Sequence, residues 1–135
     1  MERRLVTVAV MACSVLLGAC GSDGGSPSSS VPLARLEIMA VAGPVCPVET
    51  DPPSPECAPR PVESAEVVLT DREGNEVVTG ITGPGGVLLV DVAPGAITIV
   101  PQAVEGLLGT APPVSVVAVG GETVFAQIDY DTGIR

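Results

Sequence analysis

Two cysteines, Cys46 and Cys57, lie in a proline-rich stretch, GPVCPVETDPPSPECAPRP, at residues 43–61. Such a pair could bind a metal, supply a catalytic thiol or form a disulfide. Zinc requires four protein ligands, or three and a water molecule, and a thiol nucleophile requires a base, usually histidine. Because the chain contains no histidine, a disulfide is the favoured interpretation if the chain is exported. A free thiol pair and a metal site completed by carboxylates are the alternatives.

The N-terminus indicates whether the chain is exported. MERR, at residues 1–4, precedes an apolar run at residues 5–17, which is shorter than the roughly 20 residues of a membrane-spanning helix. A charged start, a short apolar run and small residues after it are typical of a secretory signal peptide. Export places the cysteines in an oxidising compartment, which favours a Cys46–Cys57 disulfide. A hydrophobic N-terminal helix in the mature protein is the alternative.

The end of this signal is more specific. LGAC, at residues 17–20, resembles the lipobox of bacterial lipoproteins. The resemblance implies that residues 1–19 are removed as a lipoprotein signal peptide and that the sulfur of Cys20 receives a diacylglycerol. The glycine- and serine-rich segment at residues 20–31 is typical of a flexible tether. We therefore expect a lipid-anchored protein on the extracytoplasmic face of the cell membrane, with the membrane as a partner through Cys20. An ordinary secretory signal cleaved elsewhere is the alternative.

Composition limits residues 32–135 to one small β-rich domain. The chain has 14 prolines and 16 glycines, which disfavour long helices, and many valines, which favour strands. Its formal net charge is −10, and it contains no lysine. We expect no nucleic-acid partner, because binding phosphates requires a basic face. We also expect no cofactor and no enzymatic activity, because the lack of histidine and lysine removes most nucleophile–base pairs.

Alternating apolar and polar residues predict seven short strands. Turn-forming segments separate them, among them DREGNE at residues 71–76, GPGG at 83–86 and GGE at 120–122. We therefore expect an all-β fold, a seven-stranded antiparallel β-sandwich of transthyretin-like or Ig-like type, in which DREGNE and GGE each close a hairpin. The residues expected to face the core are Leu36, Ile38, Val67, Leu69, Leu88, Val90, Val92, Ile97, Ile99, Val124, Ala126, Ile128 and Tyr130.

One of these stretches carries a family resemblance. TGPGGVLLVDVAPGAITI, at residues 82–99, resembles the pattern T-x-x-x-G-x-F-x-[LF]-x-[LV]-x-P-G-x-Y of carboxypeptidase regulatory-like domains, which are transthyretin-like β-sandwiches. The matching positions are Thr82, Gly86, Leu88, Val90, Val92, Pro94, Gly95 and Ile97. The resemblance runs from about Leu36 to Tyr130 and implies an accessory or adhesive domain. Some relatives carry a lysine-based isopeptide crosslink, which a chain without lysine cannot form.

Acidic residues offer two weaker candidates for chemistry. Asp71, Glu73 and Asn75 are spaced like the start of a calcium loop, but the bidentate acid that such a loop requires downstream is missing. A plain hairpin turn is therefore favoured there. Paired carboxylates such as Asp129 and Asp131 could do acid–base work on a sugar, but the chain has no tryptophan to hold one. No metal or catalytic residue is predicted.

Two classes of function fit these features. The favoured one is a membrane-tethered, non-catalytic β-sandwich lipoprotein that acts as a protein-interaction or envelope structural module with an exported protein partner. The alternative is an accessory lipoprotein that binds a small molecule or a polysaccharide. Apolar residues predicted to be exposed are the candidate binding residues, namely Leu89, Leu107, Leu108 and Phe125.

Overall fold

The computed structural model describes residues 30–48 and 50–135, so the predicted signal peptide, Cys20 and most of the tether lie outside the described residues. The strands are β1 (Ala34–Gly43), β2 (Arg60–Pro61), β3 (Glu66–Thr70), β4 (Glu76–Ile81), β5 (Val87–Val92), β6 (Gly95–Pro101), β7 (Val114–Ala118) and β8 (Thr123–Asp131). Two short 3₁₀ turns lie at Pro55–Cys57 and Pro84–Gly86. Across these described ranges, no helix is long and apolar enough to cross a membrane.

The strands form two sheets with one core between them. Sheet A is built around β1, which pairs with β8 along one side. Along its other side, β1 pairs with β5 over its first half and with β2 near its end. Sheet B has the strand order β4-β3-β6-β7. This arrangement confirms the predicted all-β sandwich.

Alternation along the strands produces the core. In β1, Leu36 and Ile38 are fully buried while Arg35 and Met39 are exposed. The predicted core residues that are buried are Leu36, Ile38, Val67, Leu69, Val92, Ile97, Ile99, Ile128 and Tyr130. Those that are only half-buried, although packed against the core, are Leu88, Val90, Val124 and Ala126. These four lie on β5 and β8, at the edges of sheet A, where neighbouring strands cover a side chain on one side only.

The connection from β7 to β8 differs from the prediction. The expected GGE hairpin is wrong, because β7 belongs to sheet B and β8 belongs to sheet A. There β8 runs parallel to β1 over the whole of Arg35–Gly43, so one strand pair of the sandwich is not antiparallel. The two-residue β2 adds an eighth strand that is too short to show alternation. A turn signal marks where a strand ends, but it does not say which sheet the next strand joins.

Thr82 is the buried polar side chain among the described residues. Its hydroxyl donates a hydrogen bond to the carbonyl of Val62 at 2.6 Å and accepts one from the backbone N–H of Ala65 at 2.9 Å. The backbone N–H of Ser64 also donates to the carbonyl of Thr82. These bonds fasten the link between β2 and β3 to the end of β4, so this position, one of those matching the family pattern, has a structural role.

Candidate functional site

A disulfide joins Cys46 to Cys57, with the two Cα atoms 5.3 Å apart. It closes the proline-rich loop between β1 and β2, and both cysteines are half-buried. The prediction of a disulfide is confirmed. Neither of these sulfur atoms is therefore a free thiol for catalysis or for binding a metal.

The DREGNE segment forms the turn of the β3–β4 hairpin, as predicted. One carboxylate oxygen of Asp71 accepts hydrogen bonds from the backbone N–H groups of Glu73 and Asn75, and the other accepts one from the side-chain amide of Asn75. These donors, the Asn75 amide first, hold the pKa of Asp71 below its ordinary value. Asp71 thus stabilises the turn, and within the described residues no three His, Cys, Asp or Glu side chains gather as a metal site would require.

The outer face of sheet A brings two of the four candidate binding residues together. The register of β1 places Glu37 directly between Leu89 on β5 and Phe125 on β8. Leu89 is 57% exposed and Phe125 is 70% exposed. Both side chains therefore lie in one row on the solvent side of the sheet, which the alternation along each strand predicts.

Met39 connects these two side chains across the middle strand. It lies two residues after Glu37 on β1, is 40% exposed, and is diagonal to both Leu89 and Phe125. Diagonal neighbours on one face of a sheet lie within reach of long side chains. Val87, directly beside Met39, extends the same surface. We call Val87, Leu89, Met39 and Phe125 the sheet A strip.

Charged and polar residues border the sheet A strip. At one end, the Arg35 guanidinium donates to the Asp91 carboxylate at 3.0 Å and 3.4 Å, and this contact lowers the pKa of Asp91. At the other end, the Gln127 side-chain amide donates to Asp129 at 2.6 Å. Glu37 lies within the strip. An apolar surface with a polar rim is the usual anatomy of a protein-binding site.

The other two candidate binding residues lie elsewhere. Leu107 is half-buried and packs against the core, so its prediction as an exposed residue is not met. Leu108 is 58% exposed, but its backbone N–H donates to the carbonyl of Asp131 at the far end of β8. The four predicted residues therefore do not form one surface. The surface around Leu89 and Phe125 is completed by Met39 and Val87 instead. The alternation along β1 and β5 was the signal that could have identified these two residues.

On the outer face of sheet B, the paired Val68 and Val100 at the centre are half-buried. The most exposed apolar side chains of this face, Ile81 at 61% and Val117 at 67%, lie on the two outermost strands, β4 and β7. The inner strands β3 and β6 separate them. Single exposed apolar residues are common on protein surfaces, so Val117 offers a matched control for Phe125.

Comparison with known proteins identifies the fold. No protein-family model matches the chain, and no curated protein sequence matches it. Among solved structures, GBS52, a minor pilin of Streptococcus agalactiae, has a TM-score of 0.57 and 13% identity over 74% of this chain and 44% of the pilin. The N-terminal domain of the shaft pilin SpaA of Lactobacillus rhamnosus GG has a TM-score of 0.55 and 7% identity over 76% of this chain and 97% of that domain.

A third similar structure is a variant of BcpA, the major pilin subunit of Bacillus cereus. It has a TM-score of 0.54 and 18% identity over 73% of this chain and 30% of the pilin. The chain spans less than half the length of GBS52 and BcpA. At these identities the likeness shows that the fold is a pilin-type β-sandwich. The carboxypeptidase regulatory-like resemblance and the lipobox stay predictions.

Proposed function

We propose that this protein is a membrane-tethered, non-catalytic interaction module that binds an exported protein through the sheet A strip. The strip is the observation that carries the proposal, since Leu89 and Phe125 lie on the solvent side of sheet A on either side of β1, with Met39 of β1 diagonal to both. Contiguous exposed apolar surface on a soluble domain typically marks an interaction site. The pilin-type fold, which it shares with a minor pilin and a major pilin subunit, supports a structural or adhesive role.

The point at which the predicted tether would join the domain supports this function. The backbone N–H of Gly121 donates to the carbonyl of Leu33, so the chain enters β1 beside the β7–β8 turn. The disulfide loop follows the other end of β1, about 30 Å away at the usual rise per residue. If Cys20 is acylated, the membrane anchor is joined to this end of the domain, and the Cys46–Cys57 loop lies at the opposite end of β1. The sheet A strip then lies along the side of the tethered domain, accessible to a neighbouring protein.

The experiment is a crosslinking capture from intact membranes of the native host. Because the chain has no lysine and many carboxylates, a carbodiimide that joins carboxylates to amines of the partner suits it. Phe125→Asp should reduce capture of the partner at least about tenfold, because a central aromatic residue in an interface commonly contributes that much. Val117→Asp introduces the same charge at similar exposure on sheet B and should capture as well as wild type.

Circular dichroism and thermal unfolding must show that both variants fold. Equal capture by wild type and Phe125→Asp would contradict the proposal. Recovery of a tightly bound small molecule or glycan from the wild-type domain, with no protein partner, would favour the ligand-binding alternative. Release of Cys20→Ser from membranes tests the tether separately.

A further inference from the structure

We propose that the free edge of β8 binds an extended segment of the partner, which adds a strand to sheet A and carries basic side chains at alternate positions. This inference rests on the proposed function and specifies how the partner binds and what its chemistry is. The sheet A strip by itself indicates only that the partner surface is apolar and does not specify its shape. The edge of β8 next to it restricts that surface to a β-strand.

Every second residue of β8 directs its backbone N–H and C=O groups away from β1, where no strand in the described part of the chain pairs with them. In the parallel ladder with β1, the N–H of Arg35 donates to the carbonyl of Glu122 and the N–H of Thr132 donates to the carbonyl of Gly43. These two bonds fix the phase of the ladder, so the even-numbered residues of β8 face β1. The odd-numbered residues, Phe125 and Gln127 among them, therefore direct their N–H and C=O groups away from the sheet.

The contact between Leu108 and Asp131 supports this phase. The N–H of Leu108 donates to the carbonyl of Asp131, an odd-numbered residue, in an isolated antiparallel bridge. This bridge covers only the last residue of β8. Among the described residues, β8 has no other strand partner than β1, and Thr123, Phe125, Gln127 and Asp129 are all exposed.

The edge of β8 is also the longest edge among the described strands, since the other edge strands have at most six residues. Proteins guard exposed edges with short strands, bulges, prolines or charges. The edge strand β7 has five residues and directly follows Pro112 and Pro113, and β4 is adjacent to a register shift in β3. By contrast, β8 has nine residues without a proline or a register shift. Its inward side chains Val124 and Ala126 are only half-buried, so an added strand would cover them further.

Acidic side chains define the chemistry of the added strand. Asp129 projects from the outer face of β8, Glu37 lies one strand further in, and Glu122 immediately precedes β8. The nearby Arg35 is already paired with Asp91. A basic side chain beside Asp129 would complement its charge, because charges in one interface interact within about 10 Å. One beside Phe125 would pack its apolar stem against the ring. Apolar residues at the intervening positions would face the core.

A second copy of this chain fits the edge less well. Pairing β8 with β8 of another copy would bring together two sets of Asp129, Glu122 and Glu37 in a protein of net charge −10. Like charges across an interface are unfavourable. A dimer that forms through β8 without any peptide would therefore overturn the proposal.

The test uses a synthetic peptide of the length of β8 in which valine alternates with arginine, together with the disulfide-bonded protein. Hydrogen exchange followed by NMR should show protected even-numbered amides of β8 in the free protein. Adding the peptide should protect the amides of Phe125, Gln127 and Asp129. A peptide with glutamate in place of arginine, and one with N-methylated amides, should leave these three amides unprotected. Binding of the glutamate peptide with equal affinity, or no new protection at the three amides, overturns the proposal.

Substitutions at Gln127 isolate the backbone contribution. The N–H of this residue points away from β1, so Gln127→Pro removes a bond to the added strand without removing a bond of the sheet, whereas Gln127→Ala keeps the N–H. Gln127→Pro should weaken peptide binding about tenfold relative to Gln127→Ala. Equal affinities of the two variants overturn the edge proposal.

The two proposals fail in distinguishable ways. Loss of membrane capture in Phe125→Asp but not in Gln127→Pro leaves the interaction module standing and overturns the strand addition. If the peptide protects the odd-numbered amides but no partner is captured from membranes, strand addition at β8 is supported and the proposed interaction module is overturned.

Discussion

At the scale of single residues, two polar side chains hold segments that apolar packing alone does not fix. Thr82 is buried and fastens the β2–β3 link through its hydroxyl. Asp131 is half-buried and binds the C-terminal residues, accepting hydrogen bonds from the Arg135 guanidinium and from the N–H of Gly133. The role of Thr82 is tested by a measurement of stability, and the role of Asp131 by a titration.

Thr82→Val should lower the free energy of unfolding by about 1–3 kcal/mol. Valine has nearly the same shape, but it leaves the N–H of Ala65 and the carbonyl of Val62 without their partner, and an unsatisfied buried group costs about this much. Urea unfolding measures the change. Thr82→Ser keeps the hydroxyl and should retain most of the stability. A fully stable valine variant would contradict the role of the hydroxyl.

The Asp131 carboxyl should titrate well below its ordinary pKa of 3.8. Hydrogen bonds from Arg135 and then from the Gly133 N–H lower its pKa to about 2. Because the folded state favours the charged carboxylate, the stabilisation is present above pH 3.8 and is lost as pH falls towards about 2. NMR titration of the carboxyl carbon should show this, and Arg135→Gln should raise the pKa towards 3.8. Arg72→Gln, at a distant exposed site, should leave it unchanged; an equally low pKa in Arg135→Gln would contradict the assignment.

At the scale of elements, two connections have well-defined contacts. The turn before β5 packs closely against neighbouring backbone, and a disulfide closes the loop between β1 and β2. The 3₁₀ turn at Pro84–Gly86 brings the backbone of Gly86 against the carbonyl of Ala40 and the N–H of Val62. The Cys46–Cys57 disulfide closes the loop after β1. The close approach is tested by comparing Gly86→Ala with Gly85→Ala, and the disulfide by comparing Cys57→Ser with the reduced wild type.

Gly86→Ala should destabilise the domain more than Gly85→Ala. Both glycines have positive φ, +72° and +79°, so both alanines carry the cost of the left-handed region, about 1–2 kcal/mol. Only at Gly86 would the new Cβ meet the Ala40 carbonyl, because nothing lies within 4 Å of a Cβ at Gly85. We expect an additional 1–3 kcal/mol, roughly, for the clash. Equal unfolding free energies of the two variants would refute the close approach.

Cys57→Ser should lower the free energy of unfolding by about 2–4 kcal/mol, because the open loop gains entropy in the unfolded chain. Guanidinium unfolding of the two proteins measures the difference. Wild type in the presence of a reductant should fall to the stability of the variant. If reduction leaves the wild type as stable as before, the disulfide contributes nothing and the prediction is wrong.

Strands and their faces were predictable from the sequence, whereas their assignment to sheets was not. Alternation within β1 alone identifies Leu36 and Ile38 as buried, because side chains of a strand alternate between its faces. The turn before β8 has the same composition whether the next strand pairs locally or crosses to the other sheet. For the same reason Phe125 was predictable as exposed, but its place beside Glu37 and Met39 depends on the parallel β1–β8 pairing.

At the scale of the whole molecule, one sandwich combines a stable interior with two different outer faces. The central strand β1 of sheet A runs from the β7–β8 turn to the disulfide loop, and the sheet A strip and the free edge of β8 lie side by side. On sheet B, the most exposed apolar side chains, Ile81 and Val117, lie on opposite edge strands, and Val68 and Val100 between them are half-buried. This asymmetry is the basis for expecting that a partner approaches from sheet A.

Site-specific photocrosslinking in intact cells tests this expectation most directly. A photoreactive phenylalanine analogue is placed at position 125 of the full chain, or at position 117 on sheet B as the matched control, and irradiated adducts are separated by mass. We expect one discrete protein adduct from position 125 and none from position 117. An adduct from position 117 alone, equal adducts from both positions, or no protein adduct from position 125 would contradict it.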